Sequence, residues 1–146
     1  MVNRNVIAFV IPAYNEELNI AKVIDEINNE FDKVKIIVVN DASKDRTRDI
    51  VTEKGVTCIS QPFNMGYAMA LQTGIKYAKS KGYNRIIQFD ADGQHIAKEA
   101  KKLIEKMDET SADIVIGSRF LEKGTYKQTF FRKLGTNIFS FLIKVF

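Results

Sequence analysis

The sequence predicts an α/β fold in which a mainly parallel, Rossmann-like sheet carries helices on both faces. Short runs rich in Val and Ile alternate with stretches of helical periodicity along the chain. The runs are apolar at successive positions, as expected for strands covered on both sides. Strands that alternate with helices pair in parallel through right-handed crossovers. A strand–helix repeat of this kind therefore predicts a single layered domain.

The first strand and helix follow from an apolar run and the polar residues that end it. Residues 6–11 are continuously apolar, and Pro12 ends the run. Asn15 is placed to cap a helix with Glu16 and Glu17 in its first turn. The apolar stripe of this helix has helical spacing and consists of Ile20, Val23, Ile24, Ile27 and Phe31.

The later elements repeat the same alternation. A second strand covers residues 36–39, and the helix after it begins near Ser43 or Asp45 and stops at Gly55, a residue type common after helix ends. Strands are then predicted at residues 56–59, 86–89 and 113–116, and helices between them at residues 67–81 and 97–107. In the third helix, the residues expected to face inward are Ala68, Leu71, Ile75 and Ala78.

Composition and charge limit the classes of function. The 146 residues are 45% hydrophobic and 27% charged, which suits one domain with a real core. Residues 1–118 carry 16 Lys/Arg against 17 Asp/Glu, and residues 119–146 carry 6 against 1, so the net +4 arises in the tail. The body therefore predicts no nucleic-acid partner.

The chain has one cysteine and one histidine, which limits the kinds of site it can form. Cys58 is the only cysteine, which excludes a disulfide framework and predicts a core position in a reducing, cytoplasmic compartment. His95 is the only histidine. We find no secretory signal at the start of the sequence and no apolar run of 18 residues, so no transmembrane helix is predicted.

Two acidic residues directly after the fourth predicted strand suggest a metal site. Asp90 and Asp92 are one residue apart, so on an extended backbone their side chains point the same way. Two close carboxylates repel each other unless a cation lies between them. Mg²⁺ and Mn²⁺ prefer carboxylate oxygens, with waters and substrate phosphates completing the shell. A solvated turn is the alternative interpretation of the same residues.

Other polar groups follow the remaining strands and are expected to converge with this pair. Open α/β sheets bind ligands beyond the carboxyl ends of their strands. The groups at these ends are residues 12–16, Asn40 with Asp41, residues 90–94 and residues 117–119. No glycine-rich dinucleotide loop or P-loop follows the first strand, so the phosphates of a ligand would need a divalent ion instead.

Several of these side chains have two open interpretations. Asp41 could accept hydrogen bonds from a base or ribose, or it could favour the start of the next helix. Arg119 could pair with a phosphate or with a surface carboxylate. Tyr14 could stack on a base or pack on its loop, and His95 could contact a phosphate or cap a helix.

The tail has a pattern of its own. Its apolar residues form one helical stripe with basic residues among them: Phe131, Leu134, Ile138, Phe141, Leu142 and Val145. An amphipathic helix lying at a membrane surface has this composition. A core helix whose partner elements are missing has it as well, and periodicity does not distinguish the two.

Five segments together resemble the family 2 glycosyltransferases of the GT-A-type nucleotide-sugar-binding fold, most closely the dolichyl- or polyprenyl-phosphate sugar synthases. The segments occur in family order, at residues 10–17, 38–47, 64–67, 90–95 and 117–119. The resemblance implies an inverting hexosyltransferase that uses a UDP- or GDP-linked sugar and Mg²⁺ or Mn²⁺. The acceptor would be a lipid phosphate, such as a polyprenyl phosphate, or a glycan hydroxyl.

The resemblance also implies roles for individual residues. The catalytic residues would be Asp92 and Arg119, and the metal ligands would be Asp90, Asp92 and Gln94. The residues implied to bind the nucleotide sugar are Pro12, Ala13, Tyr14, Glu16, Asp41, Asn64, Gly66, Asp90, Ala91, Asp92 and Arg119.

The length of the chain departs from the family pattern. Residues 1–120 correspond to the nucleotide-sugar-binding domain, and residues 121–146 to the start of an incomplete acceptor-side or membrane-interface helix. After Asp113 the only carboxylate is Glu122, so the general base is not identified. A phosphate acceptor needs no base, but truncation explains the same absence. The expectations are a cytoplasmic location, peripheral at the inner face of the membrane, and, as an alternative function, a sugar-nucleotide-binding fragment without complete activity.

Overall fold

The computed structural model describes residues 6–93 and 97–117. Strands and helices alternate in the order β1 (Ile7–Ala13), α1 (Ile20–Glu30), β2 (Val34–Asn40), α2 (Thr47–Glu53), β3 (Thr57–Ser60), α3 (Tyr67–Ser80), β4 (Arg85–Gln88) and α4 (Ala97–Thr110). The four strands pair in parallel in the order β3-β2-β1-β4. The predicted α/β class with a parallel sheet is confirmed.

The strand order changes direction next to β1. The chain moves from β1 through β2 to β3, and α3 then returns it past β1 to β4. β4 pairs with β1 only as far as Gln88 opposite Val10, whereas β1 continues to Ala13 beside β2. The carboxyl ends of β1 and β4 thus separate at the switch point of the sheet, where open α/β folds bind their ligands.

Helices cover both faces of the sheet, as predicted. Because side chains alternate along a strand, Phe9 and Ile11 of β1 point to one face and Ala8 and Val10 to the other. The first face packs on apolar residues of α1, on Val51 of α2 and on the start of α4. The second face packs on α3.

The predicted stripe of α1 is confirmed, but its predicted cap is wrong. Ile20, Val23, Ile24 and Ile27 are buried, and the ring of Phe31 lies 5.1 Å from that of Phe9. The helix begins at Ile20, well after Asn15, which has a left-handed φ of 56°. The Asn15 side chain instead accepts a hydrogen bond from the backbone of the next loop, so tertiary contact overrode the local capping signal.

The inward face of α3 differs from the prediction at two positions. Ala68 and Ile75 are exposed, Leu71 is half-buried, and Ala78 is buried as expected. The residues buried against the sheet are Ala70, Gly74 and Ala78. A Cβ at Gly74 would overlap the side chain of Val10 and lie 3.0 Å from Cγ2 of Val39. The helix lies so close to the strands that small residues, not large apolar ones, must face them.

The predicted fifth strand, residues 113–116, is wrong. This segment has no strand assignment, and Ile114 and Ile116 are 77% and 81% exposed. An apolar β-branched run becomes a strand only where a neighbour completes its hydrogen bonds. Among the described residues, the only strands that pair with one another are the four strands β1, β2, β3 and β4, so residues 113–116 have no pairing strand there.

The remaining boundaries agree closely with expectation. α2 begins at Thr47, just after the predicted start, and α4 begins at Ala97 and extends three residues beyond the predicted end at Met107. Cys58 is half-buried against the core. The chain divides into two compact units, Met1–Lys106 and Met107–Phe146, and the boundary predicted at residue 120 stays a prediction.

The tail stripe from Phe131 onward and the segment at residues 117–119, beyond Gly117, fall outside the described residues. Over residues 6–93 and 97–117, none of the helices is both long enough and apolar enough to span a bilayer.

Candidate functional site

A cavity of about 400 Å³ lies at the carboxyl ends of β1 and β4. Ten residues predicted to bind a nucleotide sugar line it, and they are Pro12, Ala13, Tyr14, Glu16, Asp41, Asn64, Gly66, Asp90, Ala91 and Asp92. Tyr67 and Ala70 line it as well, and neither was among the predicted site residues. Gln94 and Arg119 lie outside the described residues, so their predicted roles remain untested. The loops after all four strands therefore meet at one cavity.

The loop after β1 is tied to the loop after β2 by reciprocal hydrogen bonds. The Asn15 N–H donates to Ser43 Oγ at 3.0 Å, and the Lys44 N–H donates back to Asn15 Oδ1 at 2.8 Å. The Glu16 N–H donates to the hydroxyl of buried Thr47 at 2.8 Å. These bonds join two loops that are about thirty residues apart in sequence, and they set the backbone of Glu16 at the cavity wall.

Asp45 extends the same network. Its carboxylate accepts hydrogen bonds from the N–H groups of Glu17 and Thr47, each at 3.0 Å, and from the Thr47 hydroxyl. Desolvation acts to raise the pKa of Asp45, but the hydrogen bonds from Thr47 and Glu17 outweigh it and lower the pKa below its usual value. At neutral pH the carboxylate of Asp45 is therefore ionised, and its hydrogen bonds connect the two loops.

Asp41 fastens the loop that precedes α3. The residue is 3% exposed, and its two carboxylate oxygens accept hydrogen bonds from the N–H groups of Met65 and Gly66, each at 2.8 Å. Gly66 has a φ of 86°, a conformation that favours glycine. The bonds run to the start of α3 and not to α2, the helix that the sequence offered as one alternative. A contact between Asp41 and a nucleoside stays a prediction.

Replacing Asp41 with asparagine is expected to cost about 2 kcal/mol of folding stability. In asparagine, an NH₂ group would replace one of the two carboxylate oxygens that now accept a backbone N–H hydrogen bond, so that N–H would lose its acceptor. A buried donor without a partner costs about 1–3 kcal/mol. Urea unfolding would measure the loss. Asp32→Asn, at an exposed position, is the control and should stay within about 0.5 kcal/mol of the original. Equal stability of Asp41→Asn would contradict this account of the loop.

Tyr67 connects the start of α3 to the acidic loop after β4. Its hydroxyl donates to Asp90 Oδ1 at 2.7 Å and accepts a hydrogen bond from Gln88 Nε2 at 2.6 Å. Desolvation, the hydrogen bond and charge of Asp90, and the charge of Asp92 raise the pKa of Tyr67 to about 12. The phenol therefore keeps its proton at neutral pH. The sequence contains one signal for Tyr67 as a site residue. It is the first residue of a helix that follows a parallel strand, and such positions lie at the ligand-binding edge of the sheet.

The donor set at Asp90 and Asp92 fits a small divalent cation. Asp90 and Asp92 both line the cavity and lie one residue apart on the loop after β4. Mg²⁺ typically takes one or two protein carboxylates and completes its shell with waters and phosphates. Over the part of the chain that the structure describes, no group of three or more Asp, Glu, His or Cys side chains is placed to hold a metal ion, at this cavity or away from it. Gln94, the third predicted ligand, falls outside that part.

Comparison with known proteins shows the family to which this sequence belongs. A family-wide sequence model described as "Glycosyl transferase family 2" matches residues 8–144. A dolichyl-phosphate β-glucosyltransferase from Trichomonas vaginalis is 34% identical over 152 residues, with 88% of this chain and 44% of the relative covered. A UDP-N-acetylglucosamine–dolichyl-phosphate N-acetylglucosaminyltransferase from Methanococcus voltae is 33% identical over 159 residues, with 94% and 62% covered.

A solved structure shows the same fold with ligands bound. It is a mannosyltransferase from Pyrobaculum calidifontis in complex with GDP-mannose and Mn²⁺, 27% identical, with a TM-score of 0.55 over 62% of this chain and 28% of that one. The chain spans about half the length of the curated relatives it matches.

Proposed function

Because the chain belongs to glycosyl transferase family 2, we propose that it transfers a sugar from a UDP- or GDP-linked donor to an acceptor, with inversion at the anomeric carbon. The observation that carries this proposal is the single cavity lined by Asp90, Asp92, Asp41 and the loop after β1. Acidic residues suited to a metal and polar groups suited to a nucleoside thus face the same space. One relative named for UDP-N-acetylglucosamine and one structure named for GDP-mannose and Mn²⁺ support the donor class.

The donor would lie along the cavity with its nucleoside toward Tyr14 and its diphosphate toward Asp90 and Asp92. Tyr14 is 42% exposed, so its ring is available to a base. Pro12, Ala13 and Glu16 complete this wall; the first two end strand β1, and the network that joins the first two loops holds the backbone of Glu16. The arrangement is organised before the donor arrives, which lowers the entropy that binding would otherwise cost.

Transfer breaks the bond between the anomeric carbon and the diphosphate, and the leaving diphosphate gains negative charge. A divalent ion held by Asp90 and Asp92 would stabilise that charge when bound. We propose that Arg119 assists as a second positive group at a phosphate oxygen. Tyr67 keeps its proton and supports Asp90, as its hydrogen bonds allow. An in-line attack by the acceptor from the opposite side inverts the anomeric centre.

The acceptor we favour is a polyprenyl phosphate. A phosphate oxygen is already anionic at neutral pH, so it attacks without a general base, whereas a hydroxyl acceptor requires one. The two relatives above, both named for dolichyl-phosphate reactions, support this choice. A glycan hydroxyl is the alternative acceptor. A membrane surface would be a further partner if the tail forms the amphipathic helix predicted from its sequence.

A thermal-shift panel of UDP- and GDP-sugars, each with and without Mn²⁺, tests the proposed donor. A ligand at one hundred times its Kd stabilises the folded state by about 2.7 kcal/mol. We expect one nucleotide class to raise the unfolding temperature in the presence of Mn²⁺, and to do so much less when EDTA is added. No stabilisation by any sugar nucleotide would reject the proposal.

Turnover separates an enzyme from a binding fragment. The donor that binds would be incubated with Mn²⁺ and a short-chain polyprenyl phosphate, and the release of nucleoside diphosphate and the glycolipid would be measured. Formation of the glycolipid supports the favoured acceptor. Binding without release would instead support the alternative, a sugar-nucleotide-binding fragment.

A further inference from the structure

We propose that Tyr67 is a positioning residue of the metal site, and that its hydroxyl fixes the rotation of the Asp90 carboxylate. This inference rests on the proposed function, because it assumes that Asp90 holds a divalent ion. The contact that carries it is the 2.7 Å hydrogen bond from Tyr67 Oη to Asp90 Oδ1. The ring itself lines the cavity beside both acidic residues.

The direction of the hydrogen bonds decides what Tyr67 does. Gln88 Nε2 donates to Tyr67 Oη at 2.6 Å, so the amide occupies an acceptor position of the hydroxyl. The phenol proton is thereby directed toward Asp90, and the chain of donors runs from Gln88 through Tyr67 to the carboxylate. Gln88 is the last residue of β4, opposite Val10 in the ladder, so the first donor stands on the sheet itself.

The backbone next to Tyr67 is also held in place. Tyr67 is the first residue of α3, and the preceding Gly66 is bound through its N–H to Asp41. Further along the helix, the absence of a side chain at Gly74 allows α3 to lie directly against Val10 of the sheet. Tyr67 thus connects the end of the cavity at Asp41 with the end at Asp90.

A fixed carboxylate matters because a metal ligand that rotates freely must lose that freedom when the ion binds. Outer-shell partners of metal ligands orient them, and their removal typically costs about 10- to 100-fold in metal affinity or activity. A purely structural role predicts a different result. Tyr67 is 49% exposed, so loss of its hydroxyl alone should leave the fold intact.

The test compares Tyr67→Phe with Tyr77→Phe, which removes a hydroxyl from the same helix outside the cavity. Mn²⁺ binding would be measured on the protein by electron paramagnetic resonance of the free ion, with Asp92→Ala as the reference for a lost ligand. We expect Tyr67→Phe to weaken Mn²⁺ binding about 10- to 100-fold. Tyr77→Phe should bind Mn²⁺ like the original protein, and the unfolding temperature should change little in either variant.

The outcomes separate this inference from the proposed function. If Tyr67→Phe binds Mn²⁺ within twofold of the original protein while Asp92→Ala does not, the positioning role is wrong and the metal site stands. If the original protein binds no Mn²⁺, or if Asp92→Ala binds it unchanged, both the inference and the proposed metal-dependent function are overturned. Equal losses in Tyr67→Phe and Tyr77→Phe would also reject the role, because the effect would then be general to α3.

Discussion

Replacing Asp92 with alanine is expected to lower the rate of sugar transfer by roughly 30- to 1,000-fold. The estimate follows from about 2–4 kcal/mol for the loss of one localised group that stabilises charge in a transition state, with about 1.4 kcal/mol for each factor of ten. Asp92 lines the cavity and is exposed, so it is available to a metal and a diphosphate. Binding of the donor in the presence of Mn²⁺ should fall with the rate.

The measurements are calorimetric titration of the donor with and without Mn²⁺, and the release of nucleoside diphosphate. Asp32→Ala removes the same charge from an exposed position outside the cavity and is the matched control. It should leave both quantities unchanged, because a single surface charge is screened over about 10 Å in ordinary buffer. Unchanged Mn²⁺-dependent affinity in Asp92→Ala would show that the metal lies elsewhere.

Replacing Gly74 with valine is expected to destabilise the fold by about 3 kcal/mol or more, the upper end of the cost of overpacking. A Cβ at this position already overlaps the side chain of Val10 and comes within 3.0 Å of Val39. Both neighbours are buried, β-branched residues of central strands, so neither side chain has room to rotate away. Folding stabilities of 5–15 kcal/mol are typical, so the loss is a large share.

Urea unfolding of Gly74→Val and of Ala68→Val would measure this effect. Ala68 lies on the same helix but is exposed, so the same side chain there should cost under about 1 kcal/mol, the difference in helix propensity. Adding Val10→Ala to Gly74→Ala should give a favourable coupling energy, because the smaller strand residue makes room for the new Cβ. Similar losses at positions 68 and 74 would mean that α3 is less closely packed than described.

Local patterns predicted most of the fold. The alternation of apolar runs and helical stripes located four strands and four helices, and the stripe of α1 is buried as expected. The rule that parallel strands present their carboxyl ends at one edge placed Asp41 and Asp90 at a common site before any distance was known. Both do line the same cavity.

Three differences between the prediction and the structure share one cause, which is contact between segments distant in sequence. Asn15 has the chemistry of a helix cap, but its side chain accepts a hydrogen bond from Lys44, 29 residues away. Ile75 fits the apolar stripe of α3, but the short distance to Val10 requires Gly74 on the inner face. Tyr67 was absent from the predicted site because only the position of Asp90 gives its hydroxyl a partner.

By itself, the sequence determined the fold class, the order of the elements and the residue types at the ligand-binding edge, because hydrophobic periodicity and strand polarity are properties of short segments. Only the tertiary structure decided which face of α3 is buried, why Asp41 binds the loop before α3, and how Tyr67 reaches Asp90. These features depend on distances of a few ångströms between segments about 20 to 65 residues apart, which no local pattern specifies.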